Sequence, residues 1–306
     1  MATRVSRKIF HSKLLLFGEH IINRGARGLA VPLSNYNGCF RFGTSESMSA
    51  AESNKSLELL ANYIIYHTEL DKLYDTNALL EDVERGLYFD SNIPQGYGLG
   101  SSGALVAAVY FQYKKAKKKN TSLSDLKKEL AALESYFHGK SSGIDAIVCY
   151  LNKAVLLDKG EVSEAFSFTT NPQARFKVFL LNTRIARQTS PYVNKFLESC
   201  KNRAFLRVVE KSLVPSTNIA ISSLLNSKYS ELWKSVKIIS QLHLDILPDF
   251  IPNQFHELWL RGLLTNQYAL KICGAGGGGF IIGFAPADSD YKTLLAPHEV
   301  VEVMSV

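Results

Sequence analysis

The sequence predicts an α+β fold in two domains, with mixed and antiparallel sheets flanked by helices. Three observations carry this expectation. Strand-like and helix-like runs are mixed without regular βαβ alternation, which argues against a doubly wound parallel sheet. A length of 306 residues fits about two domains at roughly 100–200 residues each. The segment Thr169-Thr170-Asn171-Pro172 has linker composition, so we place domains at 1–170 and 171–306.

The elements follow in order. Residues 9–17 and 28–42 are short β-branched, aliphatic and aromatic runs, separated by Asn23, Gly25 and Gly28, and read as strands. Residues 53–70 space Leu57, Leu60, Ala61, Ile64 and Ile65 as one face of a helix. Residues 86–93 read as a strand stopped by Pro94, and 96–103 are glycine-rich. A helix is expected over 104–119, ending in five lysines within 114–119, where cations favour the helix dipole. A second helix over 123–137 carries Leu126, Leu130, Leu133 and Phe137 on one face and ends at His138-Gly139. The stretch after it reads as β-rich, with strands at 154–158 and 165–168, then 176–182. Residues 190–263 are mostly helical, interrupted by Pro215, Pro248 and Pro252. A glycine-rich turn at 271–279 and a strand at 280–285 complete the reading.

Composition excludes several classes. Hydrophobic residues make up 46% and charged residues 21%, ordinary for a globular enzyme. The longest apolar run, 104–111, falls far short of the ~20 residues a membrane span needs, so no membrane partner is expected. Arg4, Arg7, Lys8 and Lys13 precede the first acid, Glu19, but the apolar run 14–17 is too short for a secretory signal. Four cysteines without a C-x-x-C pair signal neither zinc nor a disulfide scaffold, and read as buried thiols of a cytoplasmic protein. The net charge of +7 suits an anionic small molecule. A nucleic-acid partner would want aromatics interleaved with the basic residues, and none are found. Nothing in the sequence requires or excludes a homodimer.

The segment Gly96-Tyr97-Gly98-Leu99-Gly100-Ser101-Ser102-Gly103 carries the most chemical information. Without bulky side chains its backbone can approach a ligand, and successive N–H groups can converge on an anion. The helix that follows adds its dipole and free amides, so polyphosphate is the natural guest. The hydroxyls of Ser101 and Ser102 can ligate a phosphate oxygen or Mg2+. Gly98, Gly100 and Gly103 formally match a dinucleotide fingerprint, but Pro94 and Gln95 intervene after the strand, and the acid at the right distance, Asp125, falls inside a helix. A Walker loop is absent.

Downstream, Glu134 on the second helix and Asp145 after a Gly/Ser turn are placed to face one pocket from two elements. Phosphoryl transfer needs one group to hold Mg2+ and another to orient or deprotonate the attacking hydroxyl. Lys13, between aliphatic residues of the first strand, is either a snorkelling side chain or a group that neutralises charge on a transferring phosphoryl.

Three blocks resemble the galactokinase/homoserine kinase/mevalonate kinase/phosphomevalonate kinase (GHMP) superfamily in the correct order. Lys13-Leu14-Leu15-Leu16-Phe17-Gly18-Glu19-His20 is similar to P-G-K-x-x-L-x-G-E-H. Pro94 to Gly103 is similar to P-x-x-x-G-L-G-S-S-A, and Lys271 to Gly279 to K-x-T-G-A-G-G-G-G. Two further segments resemble the mevalonate kinase branch. These are His138-Gly139-Lys140-Ser141-Ser142-Gly143-Ile144-Asp145, against H-G-x-P-S-G-x-D-N, and Asn182-Thr183-Arg184-Ile185-Ala186-Arg187-Gln188-Thr189, against N-T-[KR]-x-x-R-x-T. The chain departs from these patterns at His11 and Ser12 (Pro-Gly), Gly103 (Ala), Ser141 (Pro) and Ala146 (Asn).

The resemblance implies a two-domain fold with the active site in the cleft between domains. It also implies ATP- and Mg2+-dependent phosphorylation of the primary hydroxyl of mevalonate to 5-phosphomevalonate. Asp145 would be the base and Lys13 would stabilise the alkoxide and the γ-phosphoryl. Pro94, Gly96, Gly98, Leu99, Gly100, Ser101, Ser102 and Gly103 would bind ATP, and Glu134 with Ser101 or Ser102 would hold Mg2+. Glu19, His20, Thr183, Arg187 and Thr189 would line the acceptor pocket, and the turn at 274–279 would pack under the phosphate loop. The alternatives are another acceptor, such as phosphomevalonate, a sugar or a different hydroxyl of mevalonate, or a nucleotide-binding regulator without turnover.

Overall fold

The computed structural model describes residues 5–43, 48–115, 121–167, 174–186 and 189–306, without the side chains of His138 and Thr189. Contacts divide the chain into two compact units built from interleaved segments. The first comprises the chain up to Leu14, Pro32–Pro94 and Leu99–Ala154; the second comprises Leu15–Val31, Gln95–Gly98 and the chain from Val155 on. The expected linker and the 170/171 boundary lie outside the described residues.

Strands β1 (Phe10–Phe17) and β2 (Gly28–Phe42) pass through both units. In the first unit follow α1 (Met48–Tyr66), α2 (Thr68–Asp71), α3 (Thr76–Glu84), β3 (Leu87–Ser91), α4 (Ser101–Tyr113), α5 (Leu123–His138) and α6 (Ile144–Leu151). Strand β3 pairs antiparallel with the distal half of β2, Phe40 opposite Phe89. The apolar face of α1 is buried at Leu57, Leu60, Ala61 and Ile64, whereas Ile65, expected on that face, lies at its edge and is exposed.

The second unit adds β4 (Ala154–Asp158), β5 (Glu161–Phe166), β6 (Phe176–Asn182), α7 (Thr189–Ser199), α8 (Arg203–Val208), α9 (Val214–Leu225), α10 (Tyr229–Ile246), α11 (His256–Thr265), β7 (Ala269–Ile272), β8 (Phe280–Pro286), α12 (Tyr291–Leu295) and β9 (Val300–Ser305). Strand β4 pairs antiparallel with the start of β2, Leu29 opposite Leu156. The other sheet has the order β7-β8-β6-β9, antiparallel where β6 meets β8 and β9 and where β7 meets β8. The α+β class is therefore realised. Among the described residues no helix is long and apolar enough to cross a membrane.

Four local expectations are corrected. Helix α4 starts at Ser101 rather than 104 and stops at Tyr113, with Lys114 extended (ψ 119°). A bridge to Tyr74 draws Lys114 out of the helix. Its ammonium lies 3.2 Å from Glu129 with the side chain only 5% exposed, so this lysine is a buried partner rather than a solvated helix end. The rest of the lysine run, from 116, lies outside the described residues. Second, the stretch expected to be β-rich opens on a helix that carries Asp145. The aspartate occupies the first turn of α6, capped by Gly143 at φ +73°. The apolar run Ala146–Cys149 hid this helix because it is buried and too short to show a period.

Third, Pro215 does not interrupt the helical region. A π-turn over Val209–Leu213 leads directly into α9, whose second residue is Pro215. A proline lacks the N–H an α-helix would use, and it is tolerated in the first turn, where the preceding wider turn takes up the mismatch. Fourth, α3, β7, α12 and β9 were unanticipated, and β5 begins at Glu161 rather than 165. All are nine residues or shorter, and α3 is announced only by the Asp75 cap, whose side chain accepts from the Ala78 N–H. Cys149, Cys200 and Cys273 are buried as expected, whereas Cys39 is half-buried.

Candidate active site

In the first unit, β1, α4, α5 and α6 bring the charged candidates together. Lys13 leaves β1 with its side chain 8% exposed, and its Nζ lies 2.8 Å from Asp145 Oδ1, whose side chain is 35% exposed. The lysine is thus no snorkelling side chain. It is a buried cation held against a carboxylate that solvent can still reach. The Lys13 N–H donates to the Leu99 carbonyl at 3.0 Å, tying the strand to the glycine segment.

Two glycines make this approach feasible. Gly100 caps α4 at φ +74°, a region that L side chains avoid. A Cβ there would sit 2.9 Å from Lys13 Cγ. At Gly103, where the family pattern has alanine, a Cβ would sit 2.8 Å from the Asp145 carbonyl carbon. The missing side chain lets α6 lie directly on α4 and aims Asp145 at Lys13. No side chain caps α4, so its N-terminus keeps the character of an anion site. Gly100→Val should therefore do more than raise the KM for ATP. Displacing Lys13 should lower kcat as well, by about ten-fold or more, given what small misplacements cost. Steady-state kinetics with each substrate varied will read both, and normal ATP binding in this variant would refute the phosphate-loop assignment.

Glu134 lies on the inner face of α5, 2% exposed. Burial first, and the Asp145 charge second, push its carboxyl up from the usual 4.5 to about 7; the Ser141 hydrogen bond and the Lys13 charge oppose them. The Ser141 hydroxyl donates to Glu134 Oε2 at 2.5 Å. Beneath the group, Cys149 is buried and its thiol is held well up, by burial and then by Asp145 and Glu134. It lies four residues after Asp145, on the same face of α6, a helical spacing that would have exposed it had α6 been recognised.

This donor set fits a hard divalent cation. It offers a buried carboxylate insufficiently neutralised by its neighbours, a second carboxylate, and hydroxyls at Ser101 and Ser102 at the start of α4. Among the described residues, no three His, Cys, Asp or Glu side chains form a cage. Mg2+ is commonly held by one or two carboxylates together with substrate phosphates, so none is required.

The second unit holds the remaining candidates. Glu19 is buried, and its Oε1 accepts from Lys271 Nζ at 2.5 Å, with side chains 5% and 1% exposed respectively. Lys271 also donates to the Ile272 carbonyl, and its ammonium stands 5.6 Å from the Phe17 ring centroid. The Ile272 N–H donates to Nδ1 of buried His243. Burial, then Lys271 and His20, hold that imidazole well below the usual histidine value, in the neutral form this bond needs. His20 adopts φ +64°, stacks on Phe196 and meets Phe250 edge-on, with Nε2 at 3.1 Å from the Ala275 carbonyl. Thr183 is buried, donates to the Gly279 carbonyl at 2.7 Å and accepts from the Ile185 N–H. Gly96 and Gly98 belong to this unit, where a Cβ on Gly279 would lie 3.1 Å from Tyr97 Cα. Arg187 and the Thr189 side chain lie outside the described residues.

The structure thus brings Lys13, Leu99–Gly103, Glu134 and Asp145 into one unit, and Glu19, His20, Gly96, Gly98 and Thr183 into the other. Sequence reasoning missed Lys271 and His243 as partners of the Glu19 region, because a contact spanning 252 residues leaves no local pattern. Removing the ammonium with Lys271→Met should destabilise the fold by about 3–5 kcal/mol, because it strands a buried carboxylate. Adding Glu19→Gln should recover part of that loss in thermal melts. A single variant melting like wild type would show the pair to be inert.

Residues 62–153 match the family model "GHMP kinases N terminal domain". The chain has the GHMP kinase fold of the solved structures named below. Its relatives include mevalonate kinases. It is 23% identical over 302 residues to the mevalonate kinase of Pyrococcus furiosus, covering 90% of this chain and 87% of that one. It is 23% identical over 214 residues to that of Arabidopsis thaliana, covering 64% of this chain and only 55% of that one. Among solved structures, L. major mevalonate kinase in complex with R-mevalonate aligns with a TM-score of 0.67 at 15% identity, covering 99% and 97% of the two chains. Streptococcus pneumoniae phosphomevalonate kinase with phosphomevalonate and AMPPNP aligns at 0.60 and 16%, covering 97% and 99%.

Proposed function

We propose that this protein transfers the γ-phosphoryl of ATP to the primary hydroxyl of mevalonate. The observation that carries the reading is the Lys13–Asp145 pair at 2.8 Å, set against the backbone of Gly100 at the start of α4. A carboxylate and an ammonium in contact beside an anion-binding helix start are the parts an in-line phosphoryl transfer uses. The mevalonate-kinase-like segments ending at Asp145 and Thr189, and the relatives named above, support the choice of acceptor.

In this mechanism the amides of residues 96–103 hold the ATP phosphates. Asp145 orients the acceptor hydroxyl and takes its proton as the new O–P bond forms and the bond from the γ-phosphorus to the departing ADP breaks. Lys13 neutralises charge on the alkoxide and the transferring phosphoryl. Glu134 and a hydroxyl of Ser101 or Ser102 would hold Mg2+, which when bound would neutralise phosphate charge. Glu19 and Thr183 act on the acceptor pocket through its walls, since their polar groups are bound to Lys271 and Gly279. His20, whose Nε2 is held at the Ala275 carbonyl, lines the acceptor pocket with Arg187 and Thr189.

The test is a coupled ADP-release assay against mevalonate, phosphomevalonate, homoserine and galactose, with the product identified by mass. Mevalonate should give the highest kcat/KM and 5-phosphomevalonate. Preference for another acceptor would reassign the substrate, and ATP binding without turnover on any would overturn the reading.

A further inference from the structure

Ser141 stands where the mevalonate kinase pattern quoted above has proline, and it does what a proline ring cannot. Its Oγ donates to Glu134 Oε2 at 2.5 Å and accepts the Gly143 N–H at 3.0 Å. The Ser141 N–H in turn donates to Ser135 Oγ at 3.3 Å, and Ser135 donates to the Ala131 carbonyl at 2.7 Å. A chain of hydrogen bonds thus runs from the α5 backbone through the connecting turn to the residue that caps α6. The turn is closely seated, since a Cβ at Gly143 would lie 2.4 Å from the Lys127 carbonyl oxygen. Among the described residues Ser141 is the hydrogen-bond donor to the Glu134 carboxylate, which is 2% exposed and so has little access to water as a substitute.

We propose that Ser141 is a positioning residue for the cation site, its single hydroxyl fixing the Glu134 carboxylate on α5 relative to Asp145 at the start of α6. The inference rests on the phosphoryl-transfer reading, because that reading places a cation on Glu134. A carboxylate with two accessible rotamers binds a cation more weakly than one already held in place, and groups outside the ligand set commonly change metal affinity 10–100-fold. In this chain, the hydroxyl gives the orientation that a proline could give only through backbone rigidity.

The experiment compares wild type, Ser141→Ala, Ser141→Cys, Ser141→Thr and Glu134→Gln. Binding of Mn2+ in the presence of ATP is followed by electron paramagnetic resonance, alongside Mg2+-dependent turnover. Ser141→Ala should weaken Mn2+ binding by about ten-fold or more, raise the Mg2+ concentration for half-maximal rate equally, and leave the KM for the acceptor unchanged. Ser141→Thr, which keeps the hydroxyl, should restore affinity to near wild type. Ser141→Cys keeps the size with a poor donor and should behave like alanine, serving as the decisive variant if alanine unfolds. Wild-type Mn2+ affinity in the folded alanine or cysteine variant, with Glu134→Gln impaired, would overturn this inference alone. Wild-type affinity in Glu134→Gln would overturn the cation reading itself, and the inference with it.

Discussion

Asp145→Asn should lower turnover by about 10²–10⁴-fold, the usual contribution of a general base. Asparagine keeps the size and some hydrogen bonding of the aspartate but removes its charge and basicity. Two effects then combine. The acceptor hydroxyl loses its proton acceptor, and Lys13, only 8% exposed, loses the carboxylate 2.8 Å away. The ammonium remains available to the phosphoryl group, so ATP affinity by calorimetry should change little, while the KM for the acceptor rises. Turnover is measured at saturating ATP and mevalonate. Retention of more than about a tenth of wild-type turnover, above even the weak end of the range, would shift the principal catalytic role to Lys13.

Glu134→Gln should separate function from stability. Without a cation, the native Glu134 carboxyl titrates near 7 against an ordinary 4.5, because burial and then Asp145 disfavour its charge. Between these values the folded chain holds a proton that the unfolded chain has released. Stability therefore falls as pH rises from about 4.5 to about 7. Above pH 7 the whole cost is present, about 3 kcal/mol for a shift of this size. Glutamine can still accept from Ser141 and carries no charge to bury. In the absence of metal and nucleotide, the variant should melt several degrees above wild type at pH 8 and near it at pH 5. The same variant should bind Mn2+ with ATP far more weakly. Equal melting temperatures at pH 8 would show that the carboxylate is not under strain in the folded state.

These two variants also mark where sequence reasoning stopped. That Lys13, Glu134 and Asp145 matter was legible from residue type, from their neighbours and from the resemblance. The element carrying Asp145 was not legible: eight residues of α6, with four buried apolar positions in a row, look alike as strand or helix. The lysine run was misread for a related reason. Its first member is buried against Glu129 through a bridge to Tyr74, forty residues back, and no helix-end pattern reports that.

By itself, the sequence determined the elements whose stabilising pattern is local. The strand bounds of β2 and β6 match the reading residue for residue, because alternating or unbroken apolar runs ended by turn residues specify them. Helix α5 follows from its apolar face and its Ser122 cap, which accepts from the Asp125 N–H. The glycine segment declared its chemistry through the absence of side chains. Only the tertiary structure decided what those residues meet. It placed Gly100 against Lys13, Gly103 under Asp145, Ser141 on Glu134 and Lys271 on Glu19. The physical reason is that a buried charge is stabilised by whatever partner folding brings within hydrogen-bond reach. Partners 7, 132 and 252 residues away are equivalent once the chain is packed, and only packing distinguishes them.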